Sequence, residues 1–330
     1  MISEPKLWSP IASLIAIIVL AIASVLALVI ETEQSLAWFS VAAIGGILFF
    51  LYQLARWYLR PQLSIDSQKL RLGGTERLEW TFANGAGLVK EISIHLVGRE
   101  IATETGSSTN KTYRNTFANI VLAEADVPKG KISGEHEIPI RLSLPSFRSG
   151  HNQVVWSIKV FVHLRQWFKL TYDFDVTCWP PAPVETFEPL PSYSRSTIQI
   201  NEGRINFKPG EWVTGEVAMD GEWLQSVINK QGEHDAELQL LWFTRGKGDQ
   251  DSQVVQRQPI PAGQTTQFRF ELPQQAHPSF SGRLVSLNWK LSLVAQPKGI
   301  GSMMNPFFKG EEWEQVRLIV SPTGEEFTVS

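Results

Sequence analysis

From residue 63 onward, apolar residues return at every second position and polar residues fill the gaps, which confines the chain to half-buried strands. Leu78, Trp80 and Phe82 alternate with Glu79 and Thr81, and Ile92, Ile94 and Leu96 repeat the pattern. Phe168, Leu170, Tyr172, Phe174, Val176 and Cys178 do so over a longer run. Later come Leu238, Leu240 and Trp242, then Phe268, Phe270 and Leu272, then Val285, Leu287, Trp289, Leu291 and Leu293. Successive strand side chains point to opposite faces, so each run offers one face to a core and one to water. Many such runs, separated by Gly, Pro and Asn turns, read as antiparallel sandwiches. No sustained 3.6-residue stripe occurs in this region, so no helix is expected there.

An internal repeat divides the β region. Pro145-Ser146-Phe147 is followed nine residues after the Phe by Trp156, and Pro278-Ser279-Phe280 nine residues after the Phe by Trp289. Ile138-Pro139 and Leu272-Pro273 precede these blocks, and Gly150 and Gly282 lie in the turns within them. The shared order predicts tandem sandwiches with Pro145, Ser146 and Trp156 equivalent to Pro278, Ser279 and Trp289. Between the copies, residues 179–191 are too proline-rich to pair in a sheet and read as a stiff linker. The divisions expected are 63–190 and 191–330.

The second copy opens with Asn206-Phe207-Lys208-Pro209-Gly210-Glu211-Trp212-Val213-Thr214-Gly215-Glu216-Val217. It continues with Phe268-Arg269-Phe270-Glu271-Leu272-Pro273, Pro278-Ser279-Phe280 and Trp289-Lys290-Leu291. These blocks resemble the Pro-Gly-Glu turn, V-x-G-x-V strand and later strands of arrestin-type domains. The first copy keeps only the later half, in Ile138-Pro139, Pro145-Ser146 and Trp156-Ser157-Ile158. The resemblance implies two immunoglobulin- or arrestin-like sandwiches joined end to end, in a non-enzymatic adaptor that docks membrane proteins. No Pro-Pro-x-Tyr motif is present. The N-terminal region is foreign to the familiar eukaryotic arrestins and suggests a diverged bacterial relative.

That region, residues 1–62, contains two apolar runs, 7–30 without charge and 36–55 broken only by Gln53. Each matches the roughly 20 helical residues that cross a bilayer core. With only residues 31–35 between them, they predict a transmembrane hairpin of helices at about 7–30 and 36–58. The length of the first run, and the second run after it, fit poorly with a cleaved signal peptide. Glu31 and Glu33 occupy the hairpin loop, whereas Lys6, Arg56 and Arg60 flank the outer ends. By the positive-inside tendency both ends face the cytoplasm. The expectation is thus an integral protein of a bacterial inner membrane with cytoplasmic sandwiches.

The composition excludes several classes. Thirty Lys and Arg against 33 Asp and Glu give a formal charge of −3, which disfavours nucleic-acid binding. One cysteine permits neither a disulfide framework nor a multi-cysteine metal cage. His95, His136, His151, His163, His234 and His277 are scattered without ligand spacing, and Cys178 shares an apolar strand face. No catalytic residue, metal or cofactor is expected. Gly246-Lys247-Gly248-Asp249-Gln250-Asp251 lacks Walker and EF-hand spacing and reads as a solvated hairpin turn. The best recognition candidate is the stretch 298–309, where Met303, Met304, Phe307 and Phe308 lie between Lys298 and Lys309. Adaptable apolar side chains rimmed by cations suit a lipid surface or a partner protein. The expected function is therefore a membrane-anchored, non-enzymatic adaptor acting on membrane or peripheral proteins. An envelope-side binding or adhesin-like protein is the alternative.

Overall fold

The computed structural model describes residues 33–65, 70–82, 84, 86–126, 133–165, 169–191, 197–219, 221–231, 234–297 and 311–329. The described chain is mostly β, as the alternating runs require. It begins with helix α1 (Glu33–Tyr58), whose side chains are described from Ile44 on. Among the described residues no helix is long and apolar enough to cross a membrane. The run 7–30 lies outside them.

The first set of strands comprises β1 (Pro61–Ile65), β2 (Leu70–Arg71), β3 (Thr75–Phe82), β4 (Val89–Glu104) and β5 (Lys111–Asp126). It continues with β6 (Ser133–Pro139), β7 (Phe147–Arg148), β8 (Asn152–Leu164), β9 (Lys169–Val176) and β10 (Cys178–Trp179). One sheet has the order β1-β3-β6, and a second has β5-β4-β8-β7 with β9 also on β8. Leu78, Trp80 and Phe82 from the first sheet and Ile92, Ile94, Ile158 and Tyr172 from the second are buried between them. The antiparallel register sets this polarity, because one slip would turn every apolar side chain outward.

The second set repeats the plan with β11 (Ile198–Ile200), β12 (Asn206–Phe207), β13 (Trp212–Ala218), β14 (His234–Gly246) and β15 (Ser252–Pro259). It ends with β16 (Thr265–Glu271), β17 (Phe280–Ser281), β18 (Val285–Pro297), β19 (Glu311–Val320) and β20 (Phe327–Thr328). A β11-β13-β16 sheet faces a β12-β19-β18-β14-β15 sheet, with β17 on β18 and β20 on β17. Among the described residues no strand of one set pairs with a strand of the other.

One helix in this region departs from the expectation. Helix α2 (Gly221–Gln231) bridges β13 and β14, with Leu224 and Val227 buried and Trp223 stacked on Trp313 at 4.9 Å. Its apolar positions 223, 224, 227 and 228 do follow a helical stripe, but one only three turns long. The proline-rich stretch is also more than a spacer. Asn206, 1% exposed, accepts the Leu190 N–H and donates to the Glu188 and Gly324 carbonyls. The Val184 N–H donates to the Pro322 carbonyl, so residues 184–191 are strapped along the second sandwich.

The end of α1 is fastened to the first sandwich. Leu59 is buried, and Tyr52 and Ala55 pack against the core. The Tyr172 hydroxyl donates to the Arg56 carbonyl at 3.0 Å, while the Arg56 guanidinium lies over the Tyr172 and Tyr52 rings. Burial holds the Tyr172 phenol far above its ordinary pKa, so it keeps the proton it donates.

Candidate functional site

The most elaborate polar cluster of the described chain joins the two sandwiches. Glu100 of β4 is wholly buried. Its Oε1 accepts the N–H groups of Leu284 and Val285 at 2.9 and 3.0 Å, and its Oε2 accepts Asn115 Nδ2 at 2.8 Å. On the other side of the seam, Asp251 Oδ2 accepts Ser149 Oγ, the His151 N–H and Asn152 Nδ2, while Oδ1 pairs with His151 Nδ1. Asn152 Nδ2 also donates to Thr244 Oγ1 and the Asp249 carbonyl. Asp249 accepts the Thr105 N–H, and its own N–H donates to the Thr103 carbonyl. The segment Gly246–Asp251 is the hairpin turn between β14 and β15, but its aspartates are docked on the first sandwich rather than solvated, and it forms half of a latch.

Glycine makes the close approach possible. A Cβ on Gly282 would lie 2.0 Å from Glu100 Oε1, and one on Gly248 would lie 2.8 Å from the Thr103 backbone. Either would push the sandwiches apart.

The hydrogen bonds of the cluster keep the Asp251 carboxylate ionised. Burial raises the Asp251 carboxyl, but hydrogen bonds from Ser149, the His151 backbone and ring, and Asn152 outweigh it and hold the group below its ordinary value. A carboxylate so held contributes stability above the unfolded-state pKa and loses it as pH falls through the lower folded value. The seam is therefore expected to stay closed from pH 8 to about 5 and to open only well below about 4. Limited proteolysis across that range, with cuts mapped to residues 246–251 and 282–285, measures it. Ser149, His151 and Asp251 do not form a nucleophilic triad. The Ser149 hydroxyl is bonded to the carboxylate and to the Asn152 carbonyl, so the imidazole has no nucleophile to activate.

An aromatic cluster backs the polar one. Phe147 packs edge-on against Phe280, His277 and Trp242 with ring centroids 5.7, 5.2 and 6.0 Å apart. Desolvation lowers the His277 pKa, which keeps that ring neutral.

The repeat residues hold matching positions around this seam. Trp156 and Trp289 are 2% and 1% exposed. The indole N–H of Trp156 donates to the Leu144 carbonyl at 2.9 Å, and that of Trp289 to the His277 carbonyl at 2.8 Å, each twelve residues upstream. Ser146 Oγ accepts the Cys178 N–H, and Ser279 Oγ accepts the Val320 N–H. Pro145 and Pro278 are both buried. Each Pro-Ser-Phe block thus clamps a late strand of its own sandwich. The recognition candidates Met303, Met304, Phe307, Phe308, Lys298 and Lys309 lie outside the described residues.

A second feature is a groove of ≈ 550 Å³ on the outer face of β4, β5, β8 and β9. His95 hydrogen-bonds Ser93 and Asn119 there, and packs edge-on against Phe161. Its ring is thus a fixed part of a polar sheet face. No group of three or more His, Cys, Asp or Glu suited to a metal ion occurs among the described residues. Cys178 is 1% exposed, and burial pushes its thiol far up from the usual range. The native protein is accordingly expected to react with a disulfide reagent such as DTNB only on unfolding, with a time course that follows loss of tryptophan burial. No family model matches the chain, and no curated protein matches it.

Proposed function

We propose that this chain is a membrane-anchored, non-enzymatic interaction protein that presents two tandem arrestin-like sandwiches as one body at the cytoplasmic face. The observation that carries the reading is the apolar surface of α1. Ile44, Ile47, Leu48, Phe49, Leu51, Leu54 and Trp57 are all 44–58% exposed, and all but Phe49 spread over one half of the helix circumference, far wider than a single stripe. So broad an exposed apolar face calls for an apolar surround, and a bilayer supplies it. The sequence supports the same reading through the uncharged run 7–30 and the apolar run 36–55. The fixed junction at Tyr172 and Leu59 would then orient the sandwiches to the membrane. β4 runs 16 residues from the helix end to the seam, about 50 Å of strand, so the second sandwich would stand well out from the lipid. The adaptor role rests on the arrestin-like blocks and on a polar cluster bonded for holding rather than for chemistry.

Reporter fusions test the topology. A C-terminal green fluorescent protein is expected to fluoresce, and a C-terminal alkaline phosphatase to be inactive. Active phosphatase would place the sandwiches on the envelope side and replace the adaptor with an extracytoplasmic binding protein.

A further inference from the structure

One end of the first sandwich gathers features that the anchor alone does not require. Register fixes which residues share it. Pro61 pairs with Phe82, Val89 with Leu164, His163 with Lys169, and Glu91 with Asp126. These pairs surround the point where α1 enters, since Pro61 follows Tyr58 by three residues. The seam with the second sandwich is at the opposite end, beyond Ala102 and Asn152.

At the helix end, a single 3₁₀ turn over Ala86–Leu88 carries Leu88, which is 52% exposed although Val89 beside it is wholly buried. Arg165 is clamped to this turn. Its N–H donates to the Leu88 carbonyl at 2.9 Å and its Nε to the Gly87 carbonyl at 3.2 Å. The guanidinium is thereby fixed beside an apolar tip. Lys90 and Lys169 are exposed nearby, the Lys169 ammonium lying over the Phe161 ring at 4.2 Å, and Arg60 follows the helix, so four cations share this end with the carboxylate of Glu91. An exposed leucine alone needs no explanation. A leucine tip flanked by held cations, around the root of an apolar helix, matches the boundary between acyl chains and anionic headgroups.

We propose that the helix-proximal end of the first sandwich is a lipid-binding surface: Leu88 enters the headgroup layer of an anionic bilayer, and Lys90, Arg165 and Lys169 contact its phosphates. This rests on the anchoring reading and adds to it a defined contact face. The sandwich lies against the membrane instead of swinging from it. The direct consequence is that lipid charge sets the tilt of the whole two-sandwich body.

Site-directed quenching tests it on the full chain reconstituted in vesicles of phosphatidylcholine and phosphatidylglycerol. A bimane is placed at Leu88→Cys or, as control, at Leu142→Cys. Leu142 is 57% exposed and near Gly73, at the other end of the sandwich, and buried Cys178 is not labelled. A headgroup-nitroxide lipid is expected to quench the label at position 88 several-fold more than that at 142. Vesicles of phosphatidylcholine alone, or the pair Lys90→Glu and Lys169→Glu, are expected to reduce that difference. Equal quenching at both positions, in protein that resists alkaline carbonate extraction, overturns the lipid face and leaves the anchor standing. Release of the protein by carbonate overturns the anchor and the lipid face together.

Discussion

Trp289→Ala is expected to cost the second sandwich about 3–5 kcal/mol, the range for deleting a large aromatic from a packed core. The side chain is 1% exposed, and its indole N–H is bonded to the His277 carbonyl, so truncation leaves both a cavity and an unpartnered acceptor. Trp156→Ala is expected to act alike in the first sandwich, where the indole reaches the Leu144 carbonyl and packs edge-on against Phe117 at 5.2 Å. Urea denaturation followed by circular dichroism measures both. Trp289→Phe supplies the comparison, since it keeps most of the volume and loses the donor. A loss below 1 kcal/mol in either alanine variant would mean that the two tryptophans are not equivalent core anchors.

Glu100→Ala is expected to open the seam. It leaves the N–H groups of Leu284 and Val285 without their acceptor, at about 1–3 kcal/mol for each buried donor, together with Asn115 on the other oxygen. Water entering the gap offsets part of that, but only by separating the sandwiches. Calorimetry is therefore expected to split one cooperative transition into two, and small-angle scattering to show a larger radius of gyration. Glu100→Gln separates charge from shape, because its carbonyl can still accept while its amide cannot replace the second oxygen. A variant that keeps a single transition and an unchanged radius would show that the aromatic cluster around Phe147 suffices for docking.

The sandwich cores were legible because their signal is local. Leu78, Trp80 and Phe82, or Val285, Leu287, Trp289, Leu291 and Leu293, declare a buried face within a few residues, and every one of these is buried. The Pro-Ser-Phe to Trp repeat was legible for the same reason, since each block lies within twelve residues and its tryptophan hydrogen bond reaches a carbonyl only twelve residues upstream. The seam was not. Glu100 reads as an ordinary polar member of a strand, and its partners lie 184 and 185 residues away. Gly246–Asp251 has the composition of an exposed turn, and nothing near it in sequence tells that Ser149, His151 and Asn152 will fill its hydrogen bonds. Helix α2 was missed through brevity, as three turns barely exceed the window over which a stripe can be told from chance.

The contact between Phe147 and Phe280 joins the same residue of the two repeats. Behind them, Phe147 pairs with Val154 and Val154 with Glu100, while Phe280 pairs with Leu287 and Leu287 with Thr244. Glu100 and Thr244 are thus counterparts, and each reaches across to the turn that the other's sandwich contributes. A residue meeting its own counterpart on an axis is the geometry of an isologous homodimer, here written into one polypeptide. Tethering removes the dilution that would dissociate two separate chains. It also releases the halves from identity: one crossing is made by a carboxylate and the other by a hydroxyl, an asymmetry that no pair of identical subunits could encode.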